Sequence, residues 1–223
     1  MPDAISAISI INRRVALHAC AAGDDAALGL SIRYFNTFVR AAISKKDVHA
    51  VFDVFHEYRL LATDLLSHAP ARSVEIARHF RYYAGLARIS GLQFIYELAA
   101  ADLATLVEAA YEAGAERAPE ILDVLLAFHT EGTSARLVKA EAALAAFFER
   151  REMDAEADLM RARIMQASLE NLQTARRDFA QTTDSIFWEV TDRQVNLDYL
   201  PEVLRGRILR LLDAAIEHRN ADL

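Results

Sequence analysis

Residues 47 to 59, DVHAVFDVFHEYR, hold the densest set of chemistry-bearing side chains in this 223-residue chain. On a helix, His49, Asp53 and His56 stand at i, i+4 and i+7, so all three project from one face and could offer imidazole and carboxylate donors to a divalent metal. The same helix sets Val48, Val51, Phe52, Phe55, Tyr58, Ala62 and Leu65 on its apolar side, which leaves the His/Asp face as the solvated one. Metal sites in helical bundles recruit ligands from facing helices, often as Glu-x-x-His pairs. The chain contains no Glu-x-x-His, so no cofactor is expected, and His49, Asp53 and His56 are the candidates should a metal bind. Arg59 falls inside the apolar arc, near Phe52, Phe55 and Ala62. A guanidinium buried there needs a counter-charge, supplied either by a neighbouring helix or by a ligand.

On the following helix, Ile76, Phe80, Tyr83 and Ala87 form a buried side, Glu75, Arg78, Arg81 and Arg88 project elsewhere, and His79 lies at the border. Arg59 and His79, with Trp188 and Arg193 further along, are the residues expected to touch a ligand or partner. No Gly-x-Ser-x-Gly elbow, phosphate-binding glycine loop or dinucleotide fingerprint is present. Arg13 with His18, and Arg72 with His79, resemble the Arg-x(4 to 6)-His spacing of small helical ribonucleases, a match that 25 Lys+Arg and 7 His make easy to meet by chance. A non-enzymatic role is preferred, and enzymatic activity stays open.

The elements that must position these residues are helices. The 7 glycines and 4 prolines sit mostly at joints between stretches rich in Ala, Leu, Glu and Arg. Asp3 to Ala22, Asp24 or Asp25 to about Ile43, and Ser44 or Asp47 to His68 read as the first three helices. Residues 71 to 89, 92 to 113, 118 to 130 and 133 to 150 read as four more, and Asp154 to about Gln181 as an eighth. Residues 182 to 201 lack a helical period and contain the single tryptophan, Trp188, before a final helix from Pro201 to His218. The expected fold is all-α, with about nine helices in antiparallel hairpins. Those hairpins form either a solenoid-like array or an irregular bundle. Residues 1–181 would form a helical-hairpin domain, and 182–223 an irregular strap plus a C-terminal helix packed on the same domain. Segments such as Ala140 to Phe148, with short polar turns, resemble tetratricopeptide hairpins, although no strict 34-residue period aligns.

A net charge of −7 disfavours nucleic-acid binding, which depends on phosphate neutralisation. Residues 1 to 112 carry 11 Lys+Arg against 12 Asp+Glu, so the acidity lies in the second half. Cys20 is the only cysteine and reads as a small buried hydrophobe; a Cys-based metal site is excluded and a reducing compartment fits. No stretch approaches the ~18 apolar residues of a membrane span, and Asp3 with Arg13-Arg14 argues against a signal peptide.

The segments Tyr34-Phe35-Asn36-Thr37-Phe38 with Arg40, Asp47 to Phe52, Tyr58 to Ala62, Ala77 to Tyr83, and Phe187 to Arg193 with Asn196, Asp198 and Tyr199 carry a resemblance. It is to the soluble part of an uncharacterised bacterial family of predicted membrane proteins. The resemblance implies no activity, and it places transmembrane helices ahead of this region, where this chain has none. The chain is then a soluble relative or a domain of a longer protein, at the inner face of a membrane or free in the cytoplasm. The leading expectation is a helical scaffold that binds a protein partner or itself. The alternative is a metal- or ligand-binding protein, or an enzyme, using the face around His49 to Arg59.

Overall fold

The computed structural model describes residues 4–128, 134–181 and 202–221. They are all-α, with ten helices and no strand among the described residues: α1 (Ala4–Ala21), α2 (Asp25–Lys45), α3 (Val48–Asp64), α4 (Pro70–Ile89), α5 (Gln93–Glu112), α6 (Ala118–Phe128), α7 (Ala135–Arg150), α8 (Asp154–Gln166), α9 (Leu169–Gln181) and α10 (Glu202–Ala221).

Local chemistry explains most of these boundaries. Gly23, Gly91 and Gly114 follow α1, α4 and α5 with φ of 71°, 82° and 62°, the left-handed conformation that closes a helix at little cost to glycine. Asp24 and Asp47 cap α2 and α3, their side chains accepting from the Ala27 and Ala50 amides. Replacing Asp47 with alanine is expected to cost about 1 kcal/mol. A urea titration of the Asp47→Ala protein checks this, with a matched loss at Asp24→Ala, since both caps make the same bond.

The two largest departures from the sequence expectation have a local cause. The third helix stops at Asp64 rather than His68, because Pro70 opens α4 and the residue before a proline avoids helical ψ; Ala69 sits at φ −146°, ψ 62°. The long helix expected over 154–181 is two helices. Ala167 adopts an extended ψ of 154°, and the Ser168 hydroxyl accepts from the Asn171 amide, restarting the chain as α9.

The chain divides into two compact units, Met1–Glu131 and Gly132–Leu223, so α7, α8 and α9 group with α10. In the first unit each helix packs on the next; α1, α3 and α5 form one row, and α2, α4 and α6 a second. Alanine permits the close approach: Ala99, Ala100, Ala104 and Ala110 of α5 are buried. Phe35, Phe55, Tyr58, Phe80, Tyr83 and Tyr96 fill the core, whereas Tyr34, Tyr82 and Phe94 are exposed. In the second unit α7 packs on α8, α9 and α10, and α10 buries Ile208, Leu212 and Ala215. No helix is long and apolar enough to cross a membrane among the described residues.

Candidate functional site

The three metal candidates of α3 take separate surroundings. Asp53 accepts a hydrogen bond from the Ser6 hydroxyl of α1, His49 is exposed, and His56 is half-buried. Among the described residues no group of three or more His, Cys, Asp or Glu side chains is placed to hold a metal ion. Arg59 is buried at 5% exposure, and its Nε lies 3.2 Å from Oδ1 of Asp102, itself 5% exposed, on α5. The guanidinium that projects into the apolar arc is thus answered by a carboxylate from the next helix of its row. Trp188 and Arg193 lie outside the described residues.

His79 is where the sequence candidates lead to organised polar chemistry. Tyr58, fully buried on α3, places its hydroxyl 2.7 Å from His79 Nδ1 and 3.1 Å from Asn36 Oδ1, linking α4 to α2 through α3. The Tyr58 ring stacks on Phe35, with centroids 4.9 Å apart, which fixes where that hydroxyl stands. Burial drives the Tyr58 hydroxyl well above its ordinary pKa, so it stays a neutral hydrogen-bonding group. The His79 pKa is lowered, chiefly by burial; the neighbouring Glu75 carboxylate opposes this and the Arg40 guanidinium adds to it. With Nδ1 engaged, a neutral imidazole keeps Nε2 for another partner.

One turn further along the same pair of helices, Arg40 of α2 donates from Nε to the Tyr83 hydroxyl of α4 at 3.2 Å. The His79 and Tyr83 rings are 6.3 Å apart, so the two interactions share one groove. At the other end Arg72 fills the space over Gly29, within 3.4 Å of where a Cβ would stand, and is held by Asp25 at 2.7 Å and Glu75 at 2.6 Å. Both arginines of the ribonuclease-like spacings are engaged in ion pairs. Arg72 is committed to those carboxylates, and Arg13 pairs with Asp64 at 2.9 Å and Glu57 at 3.4 Å. Comparisons of this chain with protein-family models, with curated proteins and with solved structures find no match.

A second surface was not foreseen from the sequence. α1 is inside out: it buries Ser6, Ser9, Asn12, Ala16 and Ala19 against its unit, while Ile8, Ile10, Ile11 and Val15 are 46%, 43%, 60% and 52% exposed. The inward polar groups are satisfied. Ser6 donates to Asp53, the Ser9 hydroxyl donates to the Ile5 carbonyl at 2.9 Å, and the Asn12 amide donates to the Ser31 carbonyl at 2.9 Å. These bonds set which face of α1 turns inward, and the isoleucine stripe is left outside. The only advance signal was a helix whose serines and asparagine recur at helical spacing as regularly as its isoleucines.

Proposed function

We propose that this chain is a non-enzymatic helical scaffold that pairs with a second copy of itself through the outward face of α1. The carrying observation is the inverted orientation of that helix, whose contiguous apolar stripe is of the kind that marks an interaction surface. Ala4, Ile8, Ile11, Val15 and His18 recur at alternating steps of four and three residues, the spacing of a helix-pairing seam. Charge selects the orientation. α1 carries Arg14 and His18 in its second half and no acidic residue, so parallel copies would set like charges against each other. An antiparallel pair centred on Ile11 instead sets His18 opposite Ala4 and Arg14 opposite Ile8, and it opposes the helix dipoles. Leu30 and Tyr34 of the adjoining α2 are also exposed and widen the apolar area, as a helix pair alone falls short of the roughly 1,200 Å² of a stable interface.

Sedimentation of the purified chain should show a concentration-dependent dimer. Ile11→Arg should be monomeric, with an unchanged helical circular-dichroism spectrum because Ile11 is outside the core. A wild-type chain that stays monomeric at all concentrations overturns the reading, as does a stripe that binds anionic lipid vesicles without dimerising. A cytoplasmic setting is part of the proposal and is supported by the lone Cys20, which offers no intramolecular disulfide.

A further inference from the structure

The groove between α2 and α4 has the makings of a ligand site. The two helices run parallel across it: Gly29 meets Arg72, Asn36 is joined through Tyr58 to His79, and Arg40 meets Tyr83. Along this groove the charges are not evenly satisfied. The Arg72 end is closed, its guanidinium matched by two carboxylates. At the other end, Arg40 is exposed; it donates from Nε to the Tyr83 hydroxyl and sets its guanidinium 5.7 Å from that ring's centre. Among the described residues, its terminal nitrogens carry no carboxylate.

The neighbouring groups complete a donor set. The Tyr83 hydroxyl accepts from Arg40, so its own proton is left to donate. His79 uses Nδ1 toward Tyr58, and its Nε2 is neither bonded to another described residue nor among the buried unpaired atoms. Hydroxyl, guanidinium and imidazole therefore meet in one place, with a cation that no carboxylate among the described residues neutralises. Tyr82, exposed and edge-on to the Tyr83 ring at 5.0 Å, walls the α4 side.

We propose that Arg40, Tyr83 and His79 form a binding site for a phosphate-type oxyanion. Arg40 supplies the charge and a fork of donors suited to tetrahedral oxyanions. Tyr83 fixes the Arg40 side chain and donates a further hydrogen bond. His79, whose Nδ1–H donates to the Tyr58 hydroxyl while that hydroxyl donates to Asn36, takes the proton of a monoanion at Nε2, becoming a second cation beside the ligand. The groups acting on His79 are Glu75 on its own helix, Arg40 from α2 and Tyr58 from α3, and Glu75 is already neutralised by Arg72. A bound anion replaces the missing counter-charge and must raise the His79 titration midpoint.

The test is an NMR titration of the intact chain, following the His79 ring with His79→Gln for assignment. Inorganic phosphate is added against sodium chloride of equal ionic strength, with acetate as a second arm. The expected result is a saturable shift with phosphate, a higher His79 midpoint, at least tenfold weaker binding in Arg40→Gln, partial rescue in Arg40→Lys, and no change in Arg210→Gln. Arg40 is exposed, so these variants should fold. A shift that does not saturate, or one equal in Arg40→Gln, overturns the site. Acetate binding as tightly as phosphate overturns the phosphate assignment.

Discussion

Replacing Asp102 with alanine is expected to destabilise the first unit by about 3–5 kcal/mol, the usual cost of removing one partner from a buried ion pair. Arg59 and Asp102 are each 5% exposed, so no solvent is at hand to stabilise the guanidinium left behind. The geometry sharpens this expectation. The Arg59 Nε lies 3.2 Å from Oδ1 without an aligned hydrogen bond, and Nη2 is buried with no hydrogen-bond partner among the described residues. The pair is held by charge more than by directed bonds, so its loss is a loss of neutralisation. The double variant Arg59→Met with Asp102→Leu should recover most of the deficit, because a packed apolar pair needs no neutralisation. Urea denaturation of both variants gives the comparison. A double variant no more stable than Asp102→Ala would mean that the ion pair, rather than the space it fills, holds α3 to α5.

The second large effect lies in the other unit and depends on pH. Glu141 of α7 is 1% exposed, and burial pushes its carboxyl well above the ordinary glutamate range. Arg163 of α8, whose Nε is 3.4 Å from Glu141 Oε1, is lowered by burial as well, so both groups resist charging where they sit. The sign follows from linkage. An acid whose folded pKa is raised contributes stability fully below its unfolded value, about 4.3, and that stability drains away as pH climbs through the folded value. Glu141→Gln keeps the shape without the ionisation. It should flatten the decline of the unfolding temperature between acid and alkaline pH, and raise that temperature at neutral pH by about 2–4 °C for each kcal/mol relieved. Thermal scans of wild type and variant across pH measure this directly. Parallel pH curves for the two proteins would rule Glu141 out as the source.

The sequence made the helices legible where a residue type forces the backbone. Gly23, Gly91 and Gly114 could be read as stops, and Asp24 and Asp47 as caps, because each acts within a turn of its own position. Boundaries set without such residues were hidden. Lys46 and Glu152 take positive φ of 55° and 58° after α2 and α7, and Ser168 restarts α9 from an alanine that gives no warning. Arg59 could be picked out because a charge inside an apolar arc is anomalous on a single helix. Its partner Asp102 could not, since that pairing is settled by how α3 stacks on α5. The same holds for His79: its place at the edge of the α4 apolar face was visible, but the Tyr58 hydroxyl that orients it arrives from another helix. α1 misled for a related reason. A helical projection separates two faces and does not say which one the rest of the fold claims; here Asp53 and the Ser31 carbonyl claimed the polar one.

The two rows of helices in the first unit impose a counting rule on the chain. Arg40 meets Tyr83 at a separation of 43 residues, and Gly29 with Arg72, Asn36 with His79 and Arg59 with Asp102 are separated by the same number. Contacts in both rows therefore share one ruler, and every residue between α2 and α4 is a graduation on it. A single insertion in the Lys46-Asp47 joint would shift the α2 to α4 contacts together, whereas an insertion in the turn after α5 would leave all four pairs in step. Length in these joints, alongside capping residues such as Asp47, is what natural variation should respect.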